Sequence, residues 1–278
     1  MALLLLAHAA MPGRVEAATV DHGLRAESGA EAAMVARTCR DLGVKHRVLR
    51  VEVGPGNLQS EARQARYDAL SRWMNERGLA ALLTAHHADD QAETLLMRLN
   101  RGSGLAGLAG VRPAGKIPGQ DQLVLRPLLS WRKSELEELL RYCGLAAAED
   151  PSNTDERFDR ARMRRALQQT DWIDPLALSR SAANLADAEE ALAWSADREW
   201  RDCVAKTDDG FLYRPGAPRA VQLRVLARAI RELGGEPRGS QLAVLVDALR
   251  DGQGGNVAGV FASSDNEGWR LRREPPRH

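Results

Sequence analysis

The segment Ala85-His86-His87-Ala88-Asp89-Asp90-Gln91-Ala92-Glu93-Thr94 gathers two imidazoles and three carboxylates in a short stretch. It follows an apolar run at 80–85 and opens an amphipathic stretch at 89–99, which reads as a strand end passing into a helix. At 3.6 residues per turn, His86, Asp90, Glu93 and Met97 fall on one side, with Ala92, Leu95, Leu96 and Leu99 on the other. An acidic face held against a core suits a magnesium ion, with Asp89 and Asp90 as ligands, or a cationic substrate group. Two other readings fit the same residues. Asp89 can cap the helix, with Asp90 complementing its dipole and Glu93 solvated. His86, His87, Asp89 and Asp90 can also ligate zinc or manganese in a hydrolase.

Three further segments carry chemistry. Thr19-Val20-Asp21-His22-Gly23-Leu24-Arg25 ends an apolar run. There Gly23 permits close backbone approach, Asp21 and His22 can meet a base or ribose, and Arg25 can meet phosphate. An ordinary Asp-His-Gly turn is the plain alternative. In Glu61-Ala62-Arg63-Gln64-Ala65-Arg66-Tyr67 the two arginines and the tyrosine lie near one helical face, where salt bridging is the alternative. After Asp150-Pro151-Ser152-Asn153, the run from Arg157 to Arg165 holds Arg157, Arg160, Arg162, Arg164 and Arg165. Arg157, Arg160 and Arg164 form a helical stripe of the kind that tracks a phosphate backbone; a solvated basic helix fits equally.

The elements that must position these groups alternate. Apolar runs at 15–20, 48–53, 80–85 and 123–128 are separated by amphipathic stretches at 27–42, 58–77, 89–99 and 133–143. That rhythm predicts an α/β fold with a doubly wound parallel sheet and ligands at the carboxyl ends of its strands. Beyond Pro151 it gives way to helical patterns at 176–205, 220–233 and 240–250, then a Gly-rich turn and a terminal hairpin. The expected organisation is one domain over 1–165 and a smaller, mainly helical one over 166–278.

The 278 residues carry a net charge of +1 and 44% hydrophobic side chains, enough for a sizeable core. Lys45, Lys116, Lys133 and Lys206 are the only lysines, so the basic charge is overwhelmingly arginine. Global charge therefore carries no argument for nucleic acid, and only clusters do. Cys39, Cys143 and Cys203 are odd in number and far apart, which argues against a disulfide framework and for a cytoplasmic protein. The opening Leu run is too short to cross a bilayer and has no basic residues before it, so no membrane partner is expected.

In this order and spacing the four motifs, with Arg126-Pro127-Leu128-Leu129, resemble the tRNA(Ile)-lysidine synthetase family of N-type ATP pyrophosphatases, the PP-loop enzymes. The resemblance is close through about Leu167. It implies a ligase with an adenine-nucleotide alpha-hydrolase-like sheet that uses ATP and magnesium to adenylate the wobble cytidine C2 oxygen of isoleucine tRNA. L-lysine then attacks C2 and displaces AMP. By this likeness Asp90 and Glu93 hold the lysine ammonium groups or assist a metal, and Arg66 grips the adenylate or the lysine carboxylate. Asp21, His22, Gly23, Arg25 and His86 line the ATP pocket, and the arginines from Arg157 to Arg165 meet tRNA. A tRNA-binding relic without catalysis remains an alternative.

The chain departs from the family in three places. The phosphate loop, Ser-Gly-Gly-x-Asp-Ser after a first strand, is absent from these residues, and Met1-Ala2-Leu3-Leu4-Leu5-Leu6-Ala7 reads as the helix that follows such a loop. The expectation is that the strand and loop lie upstream of Met1. Ala161 stands where Asn is common, and Gln168 where a Leu-Pro helix stop is usual.

Overall fold

The computed structural model describes residues 1–21, 28–51, 58–145 and 159–274. It divides into two compact units, Met1–Ala186 and Asp187–His278.

The first unit alternates helix and strand. Helix α1 (Ala2–Ala10) precedes β1 (Glu16–Asp21), α2 (Ser28–Asp41), β2 (Lys45–Arg50), α3 (Leu58–Arg77) and β3 (Ala81–Leu83). Next come α4 (Ala88–Asn100), α5 (Leu105–Leu108), β4 (Ala114–Lys116), β5 (Leu123–Leu125), α6 (Lys133–Tyr142) and α7 (Asp159–Gln168). The expected parallel pairing is present: β1 runs parallel to β2, with Glu16 opposite Lys45, and β3 runs parallel to β5, with Ala81 opposite Leu123. Strand β4 adds an antiparallel edge to β5. The alternation in the sequence did not reveal it, because Ala114-Gly115-Lys116 is too short and polar to show a period.

Among the described residues, β1–β2 and β3–β5–β4 are separate ladders rather than one continuous sheet. Helix α3 packs on both. Its Tyr67, Leu70, Trp73 and Met74 form one buried cluster with Leu82, Ile117 and Val124, and Ala18, Val20 and Leu49 lie against that cluster. Between the two ladders lies a cavity of about 530 Å³, walled by Ala17, Ala18 and Thr19 of β1, Ala81, Leu82 and Leu83 of β3, and Leu3, Leu4 and Ala7 of α1. The leucines of α1 also serve the opposite side of the helix. Leu5, Leu6 and Ala2 pack with Leu128 and with Leu136 and Leu140 of α6.

Helix α8 (Pro175–Cys203) contains the division between the units. The expected boundary is at 165, after the Arg-rich segment; the two compact units divide inside a continuous 29-residue helix, where no proline, glycine or change of composition marks the division.

The second unit is richer in strand than its helical patterns predict. Strands β6 (Val204–Lys206) and β7 (Gly210–Tyr213) precede helices α9 (Arg219–Glu232) and α10 (Gly239–Arg250), and β8 (Gly255–Val257), β9 (Val260–Asp265) and β10 (Gly268–Arg273) follow. The expected terminal hairpin is β9–β10, inside an antiparallel sheet of order β6-β7-β10-β9-β8. Alternation puts Val260 and Ala262 of β9 and Trp269 and Leu271 of β10 on the inner face. Val225, Leu226 and Ile230 of α9 and Leu245, Val246 and Leu249 of α10 cover that face.

Ile230 is fully buried in this cluster. Ile230→Ala is expected to destabilise the second unit by about 2–5 kcal/mol, the transfer term plus the cavity left behind. Urea unfolding followed by tryptophan fluorescence, with Trp269 as a reporter in the same core, checks it.

Candidate active site

The residues after β3 form the site. Thr84 N–H donates to the Leu125 carbonyl at 3.0 Å, so the β3–β5 ladder continues one step and delivers His86 and Arg126 to the same carboxyl-terminal edge. The chain then turns into α4 through His87, an extended N-cap. His87 N–H donates to Asp90 Oδ2 at 3.1 Å, and Asp90 N–H donates to His87 Nδ1 at 3.4 Å. This reciprocal pair is a capping box with an imidazole in place of the usual hydroxyl. It fixes the Asp90 carboxylate at the helix mouth.

Asp89 does not cap its own helix. Its Oδ2 accepts the Lys133 backbone N–H at 2.7 Å and its Oδ1 accepts from Arg132 at 3.3 Å, so it anchors the first turn of α6. Asp89 and Asp90, the pair expected to hold magnesium, are thus both engaged within the fold, one by a neighbouring helix and the other by its own cap. Among the described residues, no three His, Cys, Asp or Glu side chains converge as a metal site. That geometry removes the support for His86, His87, Asp89 and Asp90 as hydrolase ligands.

Glu93 departs most from the sequence reading. It lies on the buried side of α4 with Ala88, Gln91, Ala92 and Leu95, and is only 2% exposed, while Leu99 from the supposed core side is half exposed. The reason is α7. Arg160 Nε donates to Glu93 Oε2 at 2.9 Å, and Arg164 donates to Oε1 at 2.7 Å and to Oε2 at 3.3 Å. Two guanidiniums compensate a carboxylate that burial alone would neutralise. Arg160 also reaches Asp90 Oδ1 at 3.5 Å.

The arginine stripe thus splits. Arg160 and Arg164, expected to face a phosphate backbone, point into the acidic site, whereas Arg162 and Arg165 are exposed on the other side of α7. Arg162 pairs with Asp159, which also holds Arg101 at 2.7 Å. Ala161 is buried, so its replacement of the family's Asn alters the packed side of α7 rather than a solvent-facing contact. Arg157 lies outside the described residues, as do His22, Gly23 and Arg25.

His86 sits among these charges. Its Nδ1 is 3.0 Å from Thr84 Oγ1. Burial pushes its imidazole below the ordinary range; Asp90 opposes that shift, and Arg126, Arg160 and Arg63 reinforce it. The α3 guanidinium acting on His86 is therefore Arg63, which also stacks over the buried Tyr67 ring at 5.2 Å. Arg66, the α3 arginine singled out by the resemblance, is exposed one turn further along. Arg126 was passed over as a site residue because Arg-Pro after a strand carries no spacing signal. It donates to the Arg112 carbonyl at 2.9 Å and keeps a buried, unpartnered Nε.

Behind the site, Gln91 secures the loop after α5. It donates to the Val111 carbonyl at 2.8 Å and accepts the Val111 N–H at 2.7 Å. Gly110 has φ +65°, and a Cβ there would lie 2.6 Å from Gln91 Oε1, so this turn requires glycine on both counts. Asp21 ends β1 and, with Gly29, Ala32, Val48 and Arg50, lines a separate cavity of about 560 Å³.

Comparison with known proteins identifies the family. A PP-loop domain family matches residues 1–170. A tRNA(Ile)-lysidine synthase of Novosphingobium aromaticivorans is 45% identical over 99% of this chain and 86% of its own length. That of Zymomonas mobilis is 39% identical over the whole of this chain and 86% of its own. Among solved structures, a U34-tRNA thiolase of Methanococcus maripaludis superposes with a TM-score of 0.54 at 17% identity, over 66% of this chain and 67% of that one, which shows a shared fold. With a fold neighbour of this kind, a PP-loop match over most of the first unit and relatives aligned along nearly its full length, the chain belongs to the tRNA(Ile)-lysidine synthase family of PP-loop proteins.

Proposed function

We propose that this chain is an ATP-dependent ligase that converts the wobble cytidine of isoleucine tRNA to lysidine. ATP adenylates the cytidine C2 oxygen and releases pyrophosphate, and the side-chain amine of lysine then attacks C2 and expels AMP. The observation that carries this reading is the juxtaposition at the β3 and β5 edge. A fixed carboxylate, Asp90, stands 3.5 Å from the Arg160 guanidinium, and Arg63, Arg126 and Arg160 all act electrostatically on the neighbouring His86. An ammonium needs the first and a phosphoanhydride needs the second, and the reaction brings both together.

The residue roles follow from this arrangement. Asp90 receives the lysine ammonium, and Glu93 supports it from below rather than touching the amine, because both its oxygens are engaged by α7. His86, held largely neutral, borders the nucleotide, with Asp21 lining the neighbouring cavity. Arg66 supplies a further guanidinium from α3 for an oxyanion, and Arg162 and Arg165 offer exposed charge to the tRNA backbone. Neither Asp89 nor Asp90 is assigned a magnesium ion. A tRNA substrate puts the work in the cytoplasm, and among the described residues no helix is long and apolar enough to cross a membrane.

The cavity between β1 and β3 also has an assigned occupant. We propose that this cavity receives a further strand, hydrogen-bonded to both ladders. Its support is the apolar wall shared by β1, β3 and α1, together with the edges of β1 and β3 that face it and are unpaired among the described residues. Edges of this kind are costly to leave open.

Two outcomes test these statements. Lysine incorporation into isoleucine tRNA is expected from the active protein, and Asp90→Asn should lower it roughly a hundredfold, the scale for leaving a charged partner unpaired. Incorporation that survives Asp90→Asn would remove Asp90 from the amine site. Amides along the facing edges of β1 and β3 should exchange slowly in the active protein, as those of paired strands do; fast exchange along both edges would mean that no strand fills the cavity.

A further inference from the structure

Asp90, Glu93, Arg160 and Arg164 make a charge-balanced quartet spanning α4 and α7. Its two arginines are not equivalent. The Arg164 side chain is 25% exposed and makes two contacts to Glu93, whereas that of Arg160 is 46% exposed and divides itself between Glu93 at 2.9 Å and Asp90 at 3.5 Å. Arg164 holds Glu93 in place. Arg160 is the cation standing at Asp90.

We infer that Arg160 is a positioning residue that occupies the amine subsite of Asp90 until the substrate ammonium displaces it. This rests on the reading of Asp90 given above. An ammonium added to the quartet as it stands leaves a net positive charge in a partly buried place, and the guanidinium already near Asp90 repels it. If Arg160 swings off Asp90, the carboxylate exchanges one cation for another at no cost in net charge. The released guanidinium, already close enough to act on His86, then has the nucleotide side of the site within reach. Glu93 stays compensated throughout by Arg164, so the exchange does not strand a buried carboxylate. Amine entry and anion capture thereby become coupled through one side chain on α7.

The consequence is a competition that kinetics can read. Arg160→Gln keeps the length of the side chain but removes its charge, so the KM for lysine is expected to fall about threefold to fivefold, the range for losing a part-exposed ion pair. Arg160→Lys retains a competing cation and should return KM toward the wild-type value. Lysidine formation by the active form of the protein, titrated with lysine at saturating ATP and tRNA, gives KM and kcat separately, and thermal melting confirms that each variant is folded. A KM that is unchanged or raised in a folded Arg160→Gln variant, or an Arg160→Lys variant that behaves like it, overturns the inference while leaving the ligase reading intact. Absence of lysidine formation in the unsubstituted protein overturns both. Should Arg160→Gln fail to fold, Arg160→Lys carries the test alone: its KM must remain close to wild type, and a drop refutes the competition.

Discussion

The buried carboxylate of Glu93 is the constraint on which the first unit turns. A carboxylate at 2% exposure calls for charged donors, and those of Glu93 come from a helix more than sixty residues away in sequence. The pairing therefore does two things at once. It docks α7 on α4, and it sets the distance between the guanidinium of Arg160 and the carboxylate of Asp90. Because the docking contacts are ionic, the helix that bears the exposed arginines Arg162 and Arg165 is registered against the chemical site by charge as well as by the buried Ala161.

The capping box of His87 and Asp90 supplies the second fixed point. A helix N-terminus leaves orphan N–H groups, and here one of them is satisfied by an imidazole whose own backbone N–H holds the carboxylate. Asp90 consequently sits where the dipole of α4 favours a negative charge and where the strand edge opens. Asp89, its neighbour in sequence, faces the other way and starts α6. Adjacent carboxylates thus divide between capping their own helix and anchoring the next, and the division follows from a helix turning its side chains by a hundred degrees per residue.

Much of the helical structure was legible in the sequence, because its signals are local. The periodic stretch at 58–77 is α3 to the residue, and the runs at 133–143, 220–233 and 240–250 match α6, α9 and α10 to within a residue at each end. The motif 85–94 falls at a strand–helix junction as its apolar and polar halves require. What stayed hidden is non-local. Nothing in the spacing of Glu93 distinguishes a solvated helical carboxylate from one buried under Arg160 and Arg164, since the compensating charges lie on another element. The same holds for the basic stripe: its spacing suits a phosphate backbone, and nothing in it shows that Arg160 and Arg164 instead meet the carboxylate of Glu93. Strands β6 and β7 follow a long helix without a break in pattern, and all four residues of β7 are buried, so no alternation announces them.

The two ladders of the first unit impose a different demand on the same site. Helix α3 holds them from one side through Tyr67, Leu70, Trp73 and Met74, yet hydrogen bonds between β1 and β3 are what would make their carboxyl ends a single rigid edge. Asp21 belongs to one ladder, and His86, Asp90 and Arg126 to the other. A nucleotide contacting both must therefore bind across a seam, and its affinity depends on how firmly that seam is closed. A strand inserted there would add backbone hydrogen bonds to both edges and fix the separation of Asp21 from His86. Residues far from the chemistry, such as Ala18 and Leu82 on the cavity wall, would then govern nucleotide binding through the packing of that strand rather than through any contact with the ligand.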